Sequence, residues 1–314
     1  MLSALYRREG LVMTIALKGL FNAYQKRVTG PLGIGFLDLR TDEAQYLNPN
    51  LVLPTASTYK IFLLMDLFLK VQKQELELNE EMTLEDYDKS PGTGILYSLT
   101  SGLKLTLHDI AVLMMALSDN TAADMLYRRL TRRCIEREIL KPLHLKNTKL
   151  RGNGKDLISK IYRRPIDLQE SSEEYFIHAK ITPESLPYID GSMGNCTTVA
   201  DMTSAFQEIY AGKMFTETSR QQMVDLLLLC QNNERLPKLL PTSTRVAHKT
   251  GSVDRITNDA GIVFTLRGNY ILTLLYNGNL ASKEEYQKNK GRSLSDPFLA
   301  EISKVVYNKF TNQN

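Results

Sequence analysis

Ser57-Thr58-Tyr59-Lys60 sets a hydroxyl and an amine three residues apart, so on a helix both project from one face. A serine hydroxyl is a weak nucleophile until a neighbouring base takes its proton. A lysine serves as that base when burial and the positive end of a helix push its pKa down. The pair therefore reads as a nucleophile, Ser57, with Lys60 as its proton acceptor. The backbone N–H of Ser57, at the helix start, points where an oxyanion would form. A capping serine followed by a surface lysine is the bland alternative, and Ser-x-x-Lys arises from ordinary composition about once in 300 residues. The chain holds a second copy, Ser101-Gly102-Leu103-Lys104. Gly102 and the cap at Thr106 put that copy in a loop, so it is read as a bystander.

Two further strings carry groups of the right kind. Ser118-Asp119-Asn120 lies between two helical stretches, and Lys249-Thr250-Gly251-Ser252 ends a strand that begins near Thr244. Taken alone, the first is a turn with an Asx or serine cap and the second an ordinary strand end. In this order, spacing and setting, the three strings resemble the serine β-lactamase and penicillin-binding protein superfamily. The text around them is similar to that family as well: Leu105-Thr106-Leu107-His108-Asp109, Thr121-Ala122-Ala123, Thr197-Thr198-Val199-Ala200-Asp201-Met202 and Asn258-Asp259-Ala260-Gly261-Ile262-Val263. The resemblance spans roughly residues 15 to 311. It implies that Ser118 passes a proton to the departing nitrogen and that Asn120 holds Lys60 and the substrate amide. Lys249 and the hydroxyls of Thr250 and Ser252 would hold a substrate carboxylate. Gly251 would let substrate lie along the strand edge, and the backbone N–H of Ser252 would be the second oxyanion donor. Asp119 is expected to satisfy backbone donors, and Arg255 to be a solvated turn arginine.

The pattern departs from class A β-lactamases at one place. These carry a Glu-x-x-Leu-Asn string whose glutamate activates the deacylating water, and the chain has no such string. Glu170, Glu173, Glu174 and Glu184 are available. Glu184 lies nearest the expected distance before Thr197 and is the candidate base, against a plain loop acid.

Positioning these groups needs strands at the chain ends and helices between. Strands are expected over Gly33–Leu39, Gln45–Leu47, Thr244–Thr250, Ala260–Leu266 and Tyr270–Tyr276, the last two joined by a turn at Arg267-Gly268-Asn269. Helices are expected over Ile15–Arg27, Ser57–Gln72 with Ile61, Leu64, Leu67, Phe68 and Val71 near one face, Thr106–Leu117, Thr198–Tyr210, Thr218–Gln231, and from about Pro297 to Phe310. The fold class is α/β (α+β), β-lactamase-like: an antiparallel five-stranded sheet from both chain ends, flanked by helices, with an inserted all-helical domain. The sheet domain takes 1–54 and 232–314 and the helical domain 55–231. A long cleft loop runs over about 141–195, with a short helix near Lys155–Arg163 because a structureless loop of that length is rare.

Composition narrows the function. At 314 residues and 43% hydrophobic content, the chain can bury a substantial core. A net charge of +4, with Lys and Arg scattered among acids, gives no nucleic-acid footprint. Cys134, Cys196 and Cys230, and His108, His144, His178 and His248, show no disulfide or metal-ligand spacing. No cofactor or metal is expected. No run is long enough to span a membrane. Arg7, Arg8 and Glu9 precede the apolar run Leu11–Leu17, but Lys18 cuts it and no cleavage site is convincing. The location expected from the chain as written is cytoplasmic, or outside the cytoplasm if a leader is missing. The expected activity is a serine acyl-enzyme hydrolase opening β-lactam amides through Ser57, with slow deacylation, on a small β-lactam or peptidoglycan-like substrate, as a monomer. The alternatives are a D,D-peptidase or esterase of the penicillin-binding protein type, and a non-catalytic penicillin-recognising module.

Overall fold

Side chains on the end strands alternate between two hydrophobic clusters, and that alternation sets the layers. Along the strand Gly268–Asn277, Tyr270, Leu272, Leu274 and Tyr276 enter one cluster and Ile271 the other. Ala260 and Ile262 on the preceding strand face the side of Ile271, while Val263 faces the side of Tyr270. Both faces of the sheet are therefore covered. The computed structural model describes residues 16–28, 30–278 and 295–311. Most of the apolar run Leu11–Leu17 lies outside them.

The first part of the chain forms α1 (Lys18–Gln25), β1 (Leu32–Asp38), β2 (Glu43–Leu47) and β3 (Leu53–Pro54). A 3-10 turn over Ala56–Tyr59 then runs into α2 (Lys60–Gln72). Next come β4 (Glu81–Thr83), β5 (Lys104–Thr106), α3 (Leu107–Ala116), α4 (Asn120–Leu130) and α5 (Arg132–Ile135). The cleft loop contributes α6 (Gly154–Ile161), α7 (Ser172–His178) and α8 (Leu186–Ile189). The chain continues through β6 (Cys196–Thr197), α9 (Val199–Ala211) and α10 (Glu217–Leu228). It closes with β7 (Val246–Val253), β8 (Ile256–Thr265), β9 (Gly268–Asn277) and α11 (Ser295–Thr311).

The expected five-stranded sheet is present, in the order β2-β1-β9-β8-β7, with every neighbouring pair antiparallel. Helices α1 and α11 cover one face, where Tyr24 meets Phe298 edge-on at 5.7 Å. The insert covers the other face. It is helical apart from two short pairs, β3 with β6 and β4 with β5.

Three local expectations change. Helix α2 is buried on every side from Lys60 to Lys70 rather than along one face. It is apolar nearly all round and forms the axis of the insert. The β8–β9 turn sits earlier than expected: Thr265 pairs with Gly268, so the loop is Leu266-Arg267 and Asn269 already lies in β9. Gly268 starts β9 at φ +123°, a conformation few other residues adopt. Finally, Lys249-Thr250-Gly251-Ser252 does not end β7 but lies within it, and the strand continues to Val253. Among the described residues, no helix is long and apolar enough to cross a membrane.

Candidate active site

Ser57 sits in the 3-10 turn before α2, where residues three apart eclipse one another. Ala56, just before it, holds φ +43°, a strained value for a residue with a side chain. Asn258 on β8 fixes this entry by donating from Nδ2 to Pro54 O at 2.8 Å and to Thr55 O at 3.0 Å. Strand β7 passes close by. A Cβ at Gly251 would lie 2.7 Å from Thr55 O and 2.9 Å from the backbone nitrogens of Ser57 and Thr58. Only glycine permits this approach, which puts the edge of β7 against the start of α2.

Lys60, fully buried, donates from Nζ to Ser118 O, to Asn120 Oδ1 at 2.8 Å and to Ser118 Oγ at 3.2 Å. Lys249, also fully buried, reaches the same Ser118 Oγ at 2.9 Å and Thr250 O at 2.8 Å. One hydroxyl thus receives two amines. Burial first, then the nearby charge of Lys249, pulls the Lys60 pKa well below the usual lysine range. Burial also lowers Lys249, to about 8. Ser118 adopts φ +57°, and that left-handed turn presents both its carbonyl and its hydroxyl to the lysines. Asp119 anchors the turn: Oδ1 accepts from Ala122 N at 2.9 Å, and Oδ2 from Ile95 N at 2.7 Å and Leu96 N at 2.9 Å. Asn120 is held from its other end by donation to Pro91 O at 2.8 Å.

Ser57, Ser118, Asn120, Thr250, Gly251 and Ser252 line one cleft of about 1150 Å³. That slightly exceeds the usual size of small-molecule sites. The structure does not bring Glu184 there. It is exposed and does not line the cleft; it is bonded to Thr182 Oγ1 at 2.6 Å, and that hydrogen bond lowers its pKa rather than raising it to a base's range. Of the other loop acids, Glu173 lines an adjoining cavity with Gly92, Thr93 and Phe176, which also line the cleft. Glu170 pairs with Arg164, and Glu174 caps α7 through Ser171. On the loop side the cleft is lined by Gly154, Leu157, Ile158, Ile161, Tyr162, Phe176 and Tyr188, none of them acidic. Ser101 is away from the cleft, donating to Asp86.

Arg235 was not anticipated. Its side chain is 2% exposed, and Nη1 donates to Gly251 O at 3.1 Å and Asn258 O at 2.6 Å, while Nε pairs with Asp296 at 2.6 Å. It also bonds Ser252 Oγ, so it braces the strand that carries the Lys249 string. No local pattern marks an arginine in Asn232-Asn233-Glu234-Arg235 for this role. Arg255, by contrast, sits at the β7–β8 turn and does not line the cleft. Asp124 was also missed. Buried beneath α6, it accepts from Gly154 N at 2.7 Å and Lys155 N at 2.8 Å, and burial pushes its pKa up to about 7.

A model of the beta-lactamase enzyme family matches residues 15–310. The chain belongs to that family. Among curated relatives, it is 22% identical over 269 residues to beta-lactamase L2 of Stenotrophomonas maltophilia, a match covering 84% of this chain and 79% of the relative. Among solved structures, a beta-lactamase from Sphaerobacter thermophilus superposes with a TM-score of 0.74 at 22% identity, over 95% of this chain and 99% of the other. PBP-A gives a TM-score of 0.74 at 22% identity, over 94% and 97% of the two chains. The structural likeness establishes the class A β-lactamase-like fold. The family membership supports a serine β-lactamase-like hydrolase.

Proposed function

We propose that this family member opens β-lactam amides by acylating Ser57 and releases the acyl group slowly. The observation that carries the reading is the convergence of Lys60 and Lys249 on Ser118 Oγ beside Ser57. In the proposed sequence, neutral Lys60 takes the Ser57 proton and the hydroxyl attacks the amide carbonyl. The backbone N–H groups of Ser57 and Ser252 hold the oxyanion. Ser118, linked to both lysines, hands a proton to the leaving nitrogen. Asn120 positions Lys60 and the substrate amide, Lys249 with Thr250 and Ser252 holds the carboxylate, and Gly251 leaves room along β7. The substrate is a small molecule.

Deacylation needs a base on the water, and no carboxylate of the loop lines this cleft: its acids, Glu234, Asp254 and Asp296, come from elsewhere, and Glu234 and Asp296 are paired with Lys238 and Arg235. That absence supports a persistent acyl-enzyme and keeps the D,D-peptidase reading in play, since such enzymes share the acylation set. Intact mass followed over time after mixing with a penicillin and a cephalosporin tests both. An adduct lost in Ser57→Ala and kept in Ser101→Ala is expected, persisting for minutes. Rapid turnover with no adduct would favour an efficient β-lactamase, and no reaction at all would sink the hydrolase reading.

A further inference from the structure

Tyr59, Ser90 and Asp124 come from three segments of the chain and meet at the loop wall of the cleft. Tyr59 ends the 3-10 turn that carries Ser57, and Asp124 lies on α4. Ser90 is tied to α4 by its backbone, donating from N to Thr121 Oγ1 at 3.0 Å. All three are buried, at 4%, 1% and 3% exposure. Among the described residues, neither Tyr59 OH nor Ser90 Oγ has a hydrogen-bond partner. Both hydroxyls gather with Asp124 around one point. A Cβ on Gly154 would lie 3.1 Å from Asp124 Oδ1 and 3.5 Å from each of Ser90 Oγ and Tyr59 OH. Gly154 and Tyr59 also line the cleft. Burying two hydroxyls without partners is costly, and a water held inside a protein takes about two to four polar partners. Two idle hydroxyls and a carboxylate supply that number.

We propose that these three side chains hold a water at the cleft wall, and that Asp124 is the base that drives it onto the Ser57 acyl ester. The inference rests on the acyl-enzyme reading above and gives its slow release a route. Each Asp124 oxygen accepts one backbone N–H, from Gly154 and from Lys155, which fixes the carboxylate and leaves lone pairs for the water. Burial lifts Asp124 to about 7, which suits a base near neutral pH. Of the charged groups facing it, Lys60 on α2 lowers it and Asp156 on α6 raises it. Tyr59 and Tyr127 are the other titratable groups that act with it. In the proposed step the water oxygen bonds to the ester carbon while one of its protons goes to Asp124. The bond from that carbon to Ser57 Oγ breaks, the proton passes on to Oγ, and a carboxylic acid leaves.

The test follows the benzylpenicillin adduct of the full chain by intact mass between about pH 5.5 and pH 8.5. Release needs ionised Asp124, so the wild-type rate should fall about 10-fold per unit below pH 7 and level off above it. Asp124→Asn should still form the adduct, keep it at least about 10² times longer, and lose the acid limb. Two further variants leave the backbone bonds of Asp124 in place. Tyr59→Phe removes one partner of the water, and Gly154→Ala puts a methyl among the three oxygens. Each should lengthen the adduct's life several-fold with the limb retained. Equal lifetimes in wild type and Asp124→Asn would overturn the proposal, as would a limb that persists in that variant. Wild-type release in both Tyr59→Phe and Gly154→Ala would do the same. Melting temperatures give a readout that needs no β-lactam: Tyr59→Phe should melt below the wild type, because it loses a bonded hydroxyl. An equal or higher value would mean an idle hydroxyl and no water. If the wild type forms no adduct, the hydrolase reading fails, and the melting temperature still decides the water site.

Discussion

At the scale of single residues, the site turns on how two buried lysines share one hydroxyl. If Lys60 works as a base, a permanent cation in its place should disable it, because arginine keeps its charge in proteins. Lys60→Arg is expected to slow acylation by about 10²–10⁴, the usual contribution of a general base. Stopped-flow acylation by a chromogenic cephalosporin measures this, and a near-wild-type rate would place the base elsewhere. The second lysine affects the first at a distance. The charge on Lys249 helps hold the Lys60 pKa down. Acylation requires neutral Lys60, so its rate should fall as pH drops through that pKa. Removing the Lys249 charge raises the Lys60 pKa, and the acid limb of the pH–rate profile in Lys249→Gln should move to higher pH. The position of the limb is the readout, since weaker substrate binding changes its height. A stationary limb would mean that another group sets it. Ser57, Lys60, Ser118 and Lys249 were legible because their motifs keep fixed local spacing. Arg235 was not: its partners Gly251, Asn258 and Asp296 are distant in sequence, and only the folded sheet brings them to it.

Elements were legible where a period or a cap marked them. Thr106 does cap α3, accepting from Asp109 N at 3.0 Å, as the sequence suggests. Helix α7 was overlooked although its signal was present, a capping box between Ser171 and Glu174. The burial of α2 all round was harder to foresee, because a charged residue interrupts its apolar run. Asp66 lies in that helix with both carboxylate oxygens buried and unpartnered, and burial lifts its pKa to about 7. The sign follows from linkage. Between about pH 4 and pH 7 the unfolded chain ionises Asp66 and the folded one does not, so stability falls as pH rises through that window and then levels off. Asp66→Leu removes a penalty of at most about 4 kcal/mol at neutral pH. The melting temperature of the variant should exceed that of the wild type at pH 7.5, with the gap closing towards pH 4. A gap independent of pH would show that packing alone is responsible. On the loop, exposed Glu184 is not among the residues lining the cleft. Glu184→Gln is expected to leave both acylation and adduct lifetime unchanged in intact-mass time courses, and a longer-lived adduct would restore it as the base.

Over the whole molecule, the sheet was readable from its two ends because residues 34–37, 262–265 and 270–276 concentrate β-branched, aromatic and aliphatic side chains between turns. In the loop over 141–195 the short helix expected near Lys155–Arg163 is present as α6, while α7 and α8, of seven and four residues, were not foreseen. The pairing of β1 with β9 has a consequence for synthesis. Leu32 is registered against Tyr276, and Asp38 against Tyr270. Closing so large a loop is entropically costly and slow. A chain still emerging from the ribosome and ending before Gly268 already contains Ser57, Lys60, Ser118 and Lys249. It has the β7–β8 hairpin but lacks the strand that joins it to β1, so β7 is not yet part of the five-stranded sheet. The nucleophile is made early, but its reactivity waits for the last strand to be delivered.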